Sequence, residues 1–273
     1  MATSKRQAAK STAPQKKIME ADILLKYEEE HFIDSKKSVW NYSLFTDEDI
    51  NNFKNGTFYN GYQKFGSHPL PVLDKTGYYF AVWAPNATFV SVIGDFNGWK
   101  TKLHPLFVRL DKSGIWEGFI PGFKTGEPYK YYIKGYKGAE MKKADPYGQY
   151  CELRPATASV SWQSKYNWLD AAWMKKRKKH NSLNAPWSVY EVHLGSWMRP
   201  VKTDEESFNS YVQLTEHLVP YVKKLGFTHV EFLPIMEFPF DGSWGYQGTG
   251  FFAATARFGT PDELRQLINA FHR

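Results

Sequence analysis

The segment GYYFAVWAPNATFVSVIGDFNGW, residues 77–99, decides the fold class of the first half of the chain. It contains two short runs in which aromatic or β-branched residues alternate with others, and similar runs recur further along. Glycine, proline or asparagine separates the runs, and no helical pattern lies between them. The runs are 77–85, 89–96, 114–122 and 128–135. Because closely spaced strands are typical of a sandwich, we predict an all-β sandwich over residues 59–165.

The second half of the chain has a different hydrophobic period. A strand pattern at 187–195 is followed by a helix pattern ending at Gly226, by the buried strand THVEFLP, and by a helix with Thr260 as its N-cap. Pro220 lies inside the first helix pattern, where it predicts a kink or a lost hydrogen bond. This alternation indicates a parallel α/β fold. Because a (β/α)8 barrel needs about 250 residues, 187–273 is either a short α/β appendage or part of a larger domain.

Three further segments are assigned from composition. Residues 1–17 are basic and polar and predict a disordered tail. Residues 18–58 predict a helical N-terminal segment, in which Thr46 and Asp49 form a helix-start signal. Residues 166–186 are charged and irregular and predict a linker. The basic N-terminus has no apolar stretch behind its charges, so we expect no secretory signal.

The composition limits the function classes. No apolar run approaches the ~20 residues of a membrane helix, so we expect no membrane partner. The single cysteine, Cys151, excludes an intramolecular disulfide and favours a reducing, cytoplasmic setting. The net charge of +7 and the basic blocks at 1–17 and 175–179 leave open a nucleic-acid-binding protein. Because no nucleic-acid-binding motif accompanies them, nucleic acid is the less favoured partner. The 17% aromatic content supplies rings that fill cores and also stack on sugars.

An ordered string of motifs carries a family resemblance. The motifs are VIGDFNGW (92–99), PYKYYI (128–133), KADPYG (143–148), YEVHLGSW (190–197), GFTHVEFLPIMEFPFDGSWGYQ (226–247) and FGTPDELRQLINAFH (258–272). Together, over about residues 60–273, they resemble the front half of the glycogen branching enzymes (1,4-alpha-glucan branching enzymes), within the α-amylase-type glycoside hydrolase superfamily. The resemblance implies a multidomain chain. An immunoglobulin-like carbohydrate-binding module would precede the first two βα units of a (β/α)8 TIM barrel.

The resemblance also implies an activity. Family members cleave an α-1,4-glucan chain and transfer it to a 6-hydroxyl, which creates an α-1,6 branch by a retaining double displacement. The implied partner is an α-glucan, and no cofactor is needed. The family's nucleophile and acid/base lie on later barrel strands, so we expect them beyond Arg273 and predict that the 273-residue chain alone is inactive.

Four residues are candidate substrate-binding residues by the same resemblance. Tyr246 matches a tyrosine that stacks on the sugar at the cleavage point, and Gln247 lies beside it. Trp99 matches a sugar-stacking tryptophan of glycogen-binding modules, and Lys130 matches a lysine that donates to sugar hydroxyls. Packing between domains is an equal alternative for Trp99. The 240–252 segment is predicted to be a turn-rich loop, and its other rings are predicted to pack at the rim of the sheet.

The remaining chemistry-bearing residues have simpler interpretations. Asp241 is a lone carboxylate in a turn and is predicted to be a turn former. His193 and His229 lack partners at metal-ligand spacing, so we predict no metal site. Glu191 and Glu231 are strand carboxylates that need partners if they are buried. Cys151 is predicted to be a small packed residue.

Two rival functions involve glucan as well. A non-catalytic glycogen-binding or scaffold protein would keep the sandwich alone, and the helix start at Thr260 argues against it. A glycogen debranching enzyme shares versions of GDFNGW, whereas YEVHLGSW together with FLPIMEFP favours branching over debranching.

Overall fold

The computed structural model describes residues 34–200 and 208–273. The predicted tail and the first part of the predicted helical segment therefore lie outside the described residues. Helix α1, Asp47–Lys54, begins as the sequence predicts. Thr46 Oγ1 accepts the N–H of Asp49 at 3.2 Å, and the Asp49 carboxylate accepts the N–H of Thr46 at 2.7 Å. Trp40 is not helical, because its backbone exchanges two hydrogen bonds with Phe119 of the sandwich.

Two antiparallel sheets form the sandwich, as the strand pattern predicts. The first sheet has the order β1-β2-β5-β4. Its strands are β1 (Gly66–Val72), β2 (Lys75–Trp83), β4 (Phe107–Val108) and β5 (Ile115–Pro121). The second sheet has the order β3-β6-β9-β8, and β7 also pairs with β6. Its strands are β3 (Ala87–Gly94), β6 (Pro128–Gly135), β7 (Glu140–Lys143), β8 (Tyr150–Cys151) and β9 (Ser159–Val160).

Both faces of the first sheet are buried. Because side chains alternate across a strand, Tyr78 and Phe80 of β2 pack against the second sheet, including Tyr129. The intervening Tyr79 faces the other way and packs with Trp40 of the N-terminal segment. The N-terminal segment is thus a third layer over the sandwich.

The α/β part contains a parallel strand pair. Strand β10 pairs with β11 in parallel, and helix α3 connects them. A short antiparallel pair, β12 and β13, follows and leads into helix α4. The bounds are β10 (Val189–Val192), α3 (Tyr211–Leu225), β11 (His229–Phe232), β12 (Met236–Glu237), β13 (Gly250–Ala254) and α4 (Pro261–His272). Helix α4 begins with the predicted cap, since Thr260 Oγ1 accepts the N–H of Glu263 at 3.3 Å.

Three details differ from the sequence-based expectations, and the proline of α3 agrees with them. The charged segment predicted as irregular contains a ten-residue helix, α2 (Ala171–His180), which has no buried residue. Strand β11 is only partly buried, since the described sheet has two strands. The segment 240–252 is not all loop, because β13 begins at Gly250. Pro220 lies inside α3, where its missing N–H costs one hydrogen bond, as the sequence predicts. Pro220 cannot donate an N–H to the Glu216 carbonyl. Both residues are exposed, so water can hydrogen-bond to that carbonyl instead.

Candidate functional site: an aromatic loop and a sandwich turn

The loop between β12 and β13 carries the first two candidate residues. Its backbone requires glycine at one point, because Gly245 has a φ of +89° and a Cβ there would lie 2.5 Å from the Pro234 carbonyl oxygen. Tyr246 follows immediately, and its N–H donates to the Ser243 carbonyl at 3.0 Å. The Tyr246 side chain is 72% exposed, and Gln247 is also exposed. The structure therefore brings these two candidates together on an outward-facing turn.

A buried arginine holds this loop in place. Arg257, whose side chain is 1% exposed, donates from Nη1 to Glu237 Oε1 at 2.8 Å and from Nε to Asp241 Oδ1 at 2.7 Å. Its guanidinium lies over the Phe238 ring, 3.8 Å from the ring centroid. The other oxygen of Asp241 binds Arg154, which comes from the sandwich. Asp241 thus ties the loop to two arginines.

Sequence reasoning did not find these arginines. Arg257 lies in an ordinary segment, ATARFG, and Arg154 in a turn of the sandwich. The only local signal for a role of Arg257 was its position near the end of a strand pattern. The pairing with Asp241 spans 16 residues for Arg257 and 87 residues for Arg154, so it depends on the tertiary fold.

The neighbouring rings divide into packed and exposed ones. Trp244 stacks on His193 at a centroid distance of 5.6 Å. Burial lowers the pKa of His193, so the neutral ring is favoured. Phe252 stacks on Tyr147 of the sandwich at 4.9 Å. Packing was predicted for these rings. Trp244 and Phe252 make ring contacts but stay 56% and 47% exposed, and the prediction is wrong for Phe251, which is 72% exposed. Its strand, β13, pairs only with the two-residue strand β12 among the described residues, so the ring is left largely uncovered.

The other two candidates lie at the end of the second sandwich sheet. Trp99 follows the turn after β3 with a left-handed φ of 58°, and its Nε1–H donates to Asp95 Oδ1 at 2.6 Å. Lys130 sits on β6 opposite Ile93, and its Nζ donates to Thr157 Oγ1 at 2.6 Å. Trp99 and Lys130 are both half-buried. The turn that holds Trp99 and the loop that holds Tyr246 belong to different parts of the fold.

The histidines contact aromatic rings, and the strand carboxylates are exposed. His229 stacks on Trp187 at 4.2 Å. Glu191 and Glu231 face each other in the β10–β11 register and are both exposed, so neither needs a buried partner. Within 34–200 and 208–273, no group of three or more His, Cys, Asp or Glu side chains is arranged to hold a metal ion. Among the same residues, no helix is long and apolar enough to cross a membrane.

Cys151 lies at the contact between the two parts of the chain. Its Sγ would be 3.5 Å from a Cβ at Gly250 of β13. Burial, together with the charge of Glu237, raises the pKa of the Cys151 thiol to about 12. A thiol that stays protonated at neutral pH is a poor nucleophile, which agrees with a packing residue.

Comparisons with known proteins show what this chain is similar to. Residues 64–148 match the family model of carbohydrate-binding module 48 (isoamylase N-terminal domain). The fold is similar to that of a putative alpha amylase from Salmonella typhimurium, with a TM-score of 0.57 at 21% identity. That match covers 76% of this chain and 31% of the other. The chain thus contains a segment that matches a carbohydrate-binding module, and about three quarters of it shares the fold of this neighbour.

Sequence similarity identifies a narrower group of related proteins. The chain is 50% identical over 232 residues to a 1,4-alpha-glucan branching enzyme of Aquifex aeolicus. It is 51% identical over 231 residues to one of Desulfitobacterium hafniense. These matches cover 85% and 84% of this chain but 36% of each relative, so the chain spans about a third of their length. The resemblance to the N-terminal region of the 1,4-alpha-glucan branching enzymes, inferred from the motifs, is confirmed.

Proposed function

We propose that this chain is the N-terminal part of a 1,4-alpha-glucan branching enzyme. The whole protein would cleave an α-1,4-glucan chain and transfer it to a 6-hydroxyl by a retaining double displacement. The observation that carries the proposal is the identity of about half of the aligned residues to two proteins with that name. The α/β part would be the first two βα units of a (β/α)8 barrel, and the parallel β10–α3–β11 unit supports this assignment.

The two candidate regions would bind different parts of the glucan. In a barrel, the segments that follow the strands build the active site, and the loop bearing Tyr246 follows β11. Tyr246 would stack on the sugar at the cleavage point, and Gln247 would donate to its hydroxyls. Trp99 and Lys130 would bind a glucan segment on the sandwich. Two independent contacts would hold a long polymer more tightly than either alone.

The reacting carboxylates would lie outside this chain. A retaining mechanism needs a free nucleophile and an acid/base about 5–5.5 Å apart. Both oxygens of Asp241 accept from arginines, and Glu237 accepts from Arg257 and from the N–H of Ala256 at 2.7 Å. Carboxylates engaged in this way are poorly suited to attack a sugar. The cytoplasmic setting and the lack of a cofactor remain expectations.

The test is the product that the whole protein forms from amylose. Branching keeps the number of reducing ends constant, because every cleaved bond is replaced by a new one. We expect the iodine absorbance to fall without new reducing ends, and isoamylase to release short chains from the product. A hydrolase of α-1,4 bonds would raise the reducing ends, and a debranching enzyme would leave a product from which isoamylase releases no short chains; either result would overturn the proposal.

The 273-residue chain provides a second test. It should bind amylose without changing its iodine absorbance. Branching by the chain itself would show that the reacting carboxylates lie within residues 1–273, which would contradict the proposal that they lie outside this chain.

A further inference from the structure

The turn between β8 and β9 of the sandwich places one arginine, Arg154, beside the loop that bears Tyr246. Glu152 closes the base of this turn, because its N–H donates to the Ala158 carbonyl at 3.0 Å and its carboxylate accepts the Ala158 N–H at 2.9 Å. Nη2 of Arg154 donates to Oδ2 of Asp241 across the boundary between the sandwich and the α/β part. A closed turn of the sandwich therefore presents Arg154 to the loop.

Asp241 is held from both sides of this boundary. Its other oxygen, Oδ1, accepts from Nε of Arg257 in the α/β part at 2.7 Å. Replacing Arg154 would thus leave Asp241 with one cationic partner. The Arg154 side chain is 24% exposed, whereas that of Arg257 is 1% exposed. Because a partly exposed ion pair contributes little to stability, Arg154 suits a role other than holding the fold together.

Two overlapping turns connect Asp241 to Tyr246. The Trp244 N–H donates to the Asp241 carbonyl at 3.0 Å, and the Tyr246 N–H donates to the Ser243 carbonyl at 3.0 Å. Residues Asp241–Ser243 form a single turn of 3-10 helix. A displacement of Asp241 is therefore passed along the backbone to Tyr246.

The Tyr246 ring depends on this backbone for its position. Because the ring is 72% exposed, few neighbouring side chains restrict it. A second contact with the sandwich follows it in the chain, since Phe252 stacks on Tyr147 at a centroid distance of 4.9 Å. The loop is thus fastened to the sandwich both before and after Tyr246. A displacement of about 1 Å at a substrate contact can slow a reaction by up to about 10²-fold, so this fastening matters for turnover.

We propose that Arg154 is a positioning residue that acts through Asp241 and holds the Tyr246 ring where the sugar at the cleavage point requires it. The inference rests on the proposed function, because it takes Tyr246 to contact that sugar. It gives the sandwich a part in turnover that is separate from any glucan the sandwich binds itself.

The first experiment measures kcat and KM for amylose in variants of the whole protein, from the fall in iodine absorbance. Arg154→Met should lower kcat roughly threefold to tenfold, since its effect passes through one ring, and keep KM within about twofold, since the other contacts to the polymer remain. Arg154→Lys keeps one charged donor and should recover most of the loss. Lys134→Met is the matched control, because it breaks an exposed pair of the sandwich, Lys134 Nζ to Glu140 Oε1 at 3.9 Å, and should keep the parent kcat.

A double-variant cycle separates positioning from a general effect on the protein. If Arg154 acts through Tyr246, Arg154→Met should lower kcat by less than about twofold when Tyr246→Ala is already present, so the two losses should not add. Additive losses, or a parent-like kcat for Arg154→Met, would overturn the proposal and leave the proposed function standing.

The second experiment needs no activity and measures amide hydrogen exchange in the 273-residue chain. Arg154→Met should speed exchange in 241–247 and leave strand β2 at the parent rate, while Lys134→Met should change neither. Parent-like exchange in 241–247, or faster exchange in both segments, would refute the positioning of the loop by Arg154. A parent protein that does not branch amylose would refute the proposed function and the effect of Arg154 on turnover, whereas faster exchange in 241–247 alone would still show that Arg154 holds the loop.

Discussion

The hydroxyl of Tyr129 donates a 2.6 Å hydrogen bond to Asp145 in the buried centre of the sandwich. Tyr131 donates to the same carboxylate oxygen at 3.1 Å, and the Tyr147 N–H donates to the other oxygen at 2.9 Å. These hydrogen bonds favour the charged form, but burial outweighs them and raises the pKa of Asp145 to about 6. The sandwich therefore contains an acid that gains a proton not far below neutral pH.

This acid makes stability depend on pH. Because the folded pKa of Asp145 lies above the unfolded value near 3.8, the folded state binds the extra proton between the two values. The contribution of Asp145 to the free energy of unfolding should therefore fall by roughly 2–3 kcal/mol, about 1.36 kcal/mol per pKa unit, as the pH rises from 4 to 7. Asp145→Asn should flatten this part of the profile in urea denaturation. Asp74→Asn, at an exposed carboxylate, should leave the slope unchanged; equal slopes in all three proteins would refute the assignment.

Replacing Arg257, the buried arginine that holds the loop, should lower the free energy of unfolding. Arg257→Met leaves Glu237 buried without its partner, so we expect a loss of about 3–5 kcal/mol in the free energy of unfolding. Lys75→Met breaks the exposed Lys75–Asp74 pair, 3.2 Å long, and should cost less than about 1 kcal/mol. Urea denaturation at pH 7 measures both. A similar cost for the two variants would contradict the structural role of Arg257.

The glycine of the loop should resist substitution for two separable reasons. Gly245→Ala combines a positive φ with a contact of 2.5 Å to the Pro234 carbonyl, whereas Gly122→Ala combines a φ of +75° with open space. The positive φ alone costs about 1–2 kcal/mol. Thermal denaturation should therefore show a larger loss for Gly245→Ala than for Gly122→Ala. If the two losses are equal, the close approach to Pro234 does not constrain the loop.

Tyr246 should matter for turnover and little for stability. Because its ring is 72% exposed, Tyr246→Ala should change the free energy of unfolding by no more than about 0.5 kcal/mol. In the whole protein it should lower kcat/KM for amylose roughly tenfold, as loss of one anchoring aromatic contact does. Phe251→Ala removes an equally exposed ring nearby and should keep the parent kcat/KM. Equal losses for the two variants would mean that Tyr246 has no special contact with the sugar.

Local signals account for what the sequence predicted well. The alternation in 77–83 defines both faces of β2, since a residue and its neighbour point to opposite sides. The helix starts at Thr46 and Thr260 depend on groups within three residues, so they too are visible in the sequence. The position of Tyr246 was inferred from the family motif and not from local chemistry.

Long-range contacts account for what the sequence did not reveal. Arg154 and Asp241 are 87 residues apart and meet only because the sandwich packs on the α/β part. The Tyr62 ring likewise stacks on Phe252 across that boundary, at a centroid distance of 6.2 Å. Helix α2 has no buried face, so it lacks the amphipathic period by which helices are found.

The N-terminal layer over the first sheet has a practical consequence for anyone who excises the carbohydrate-binding module. The family match begins at residue 64, but Trp40 and Phe45 cover the outer side of Tyr79 and Phe119. A fragment cut at residue 64 would present this apolar surface to water and tend to aggregate. The smallest self-sufficient piece should therefore start before Val39, well ahead of the boundary that sequence similarity suggests.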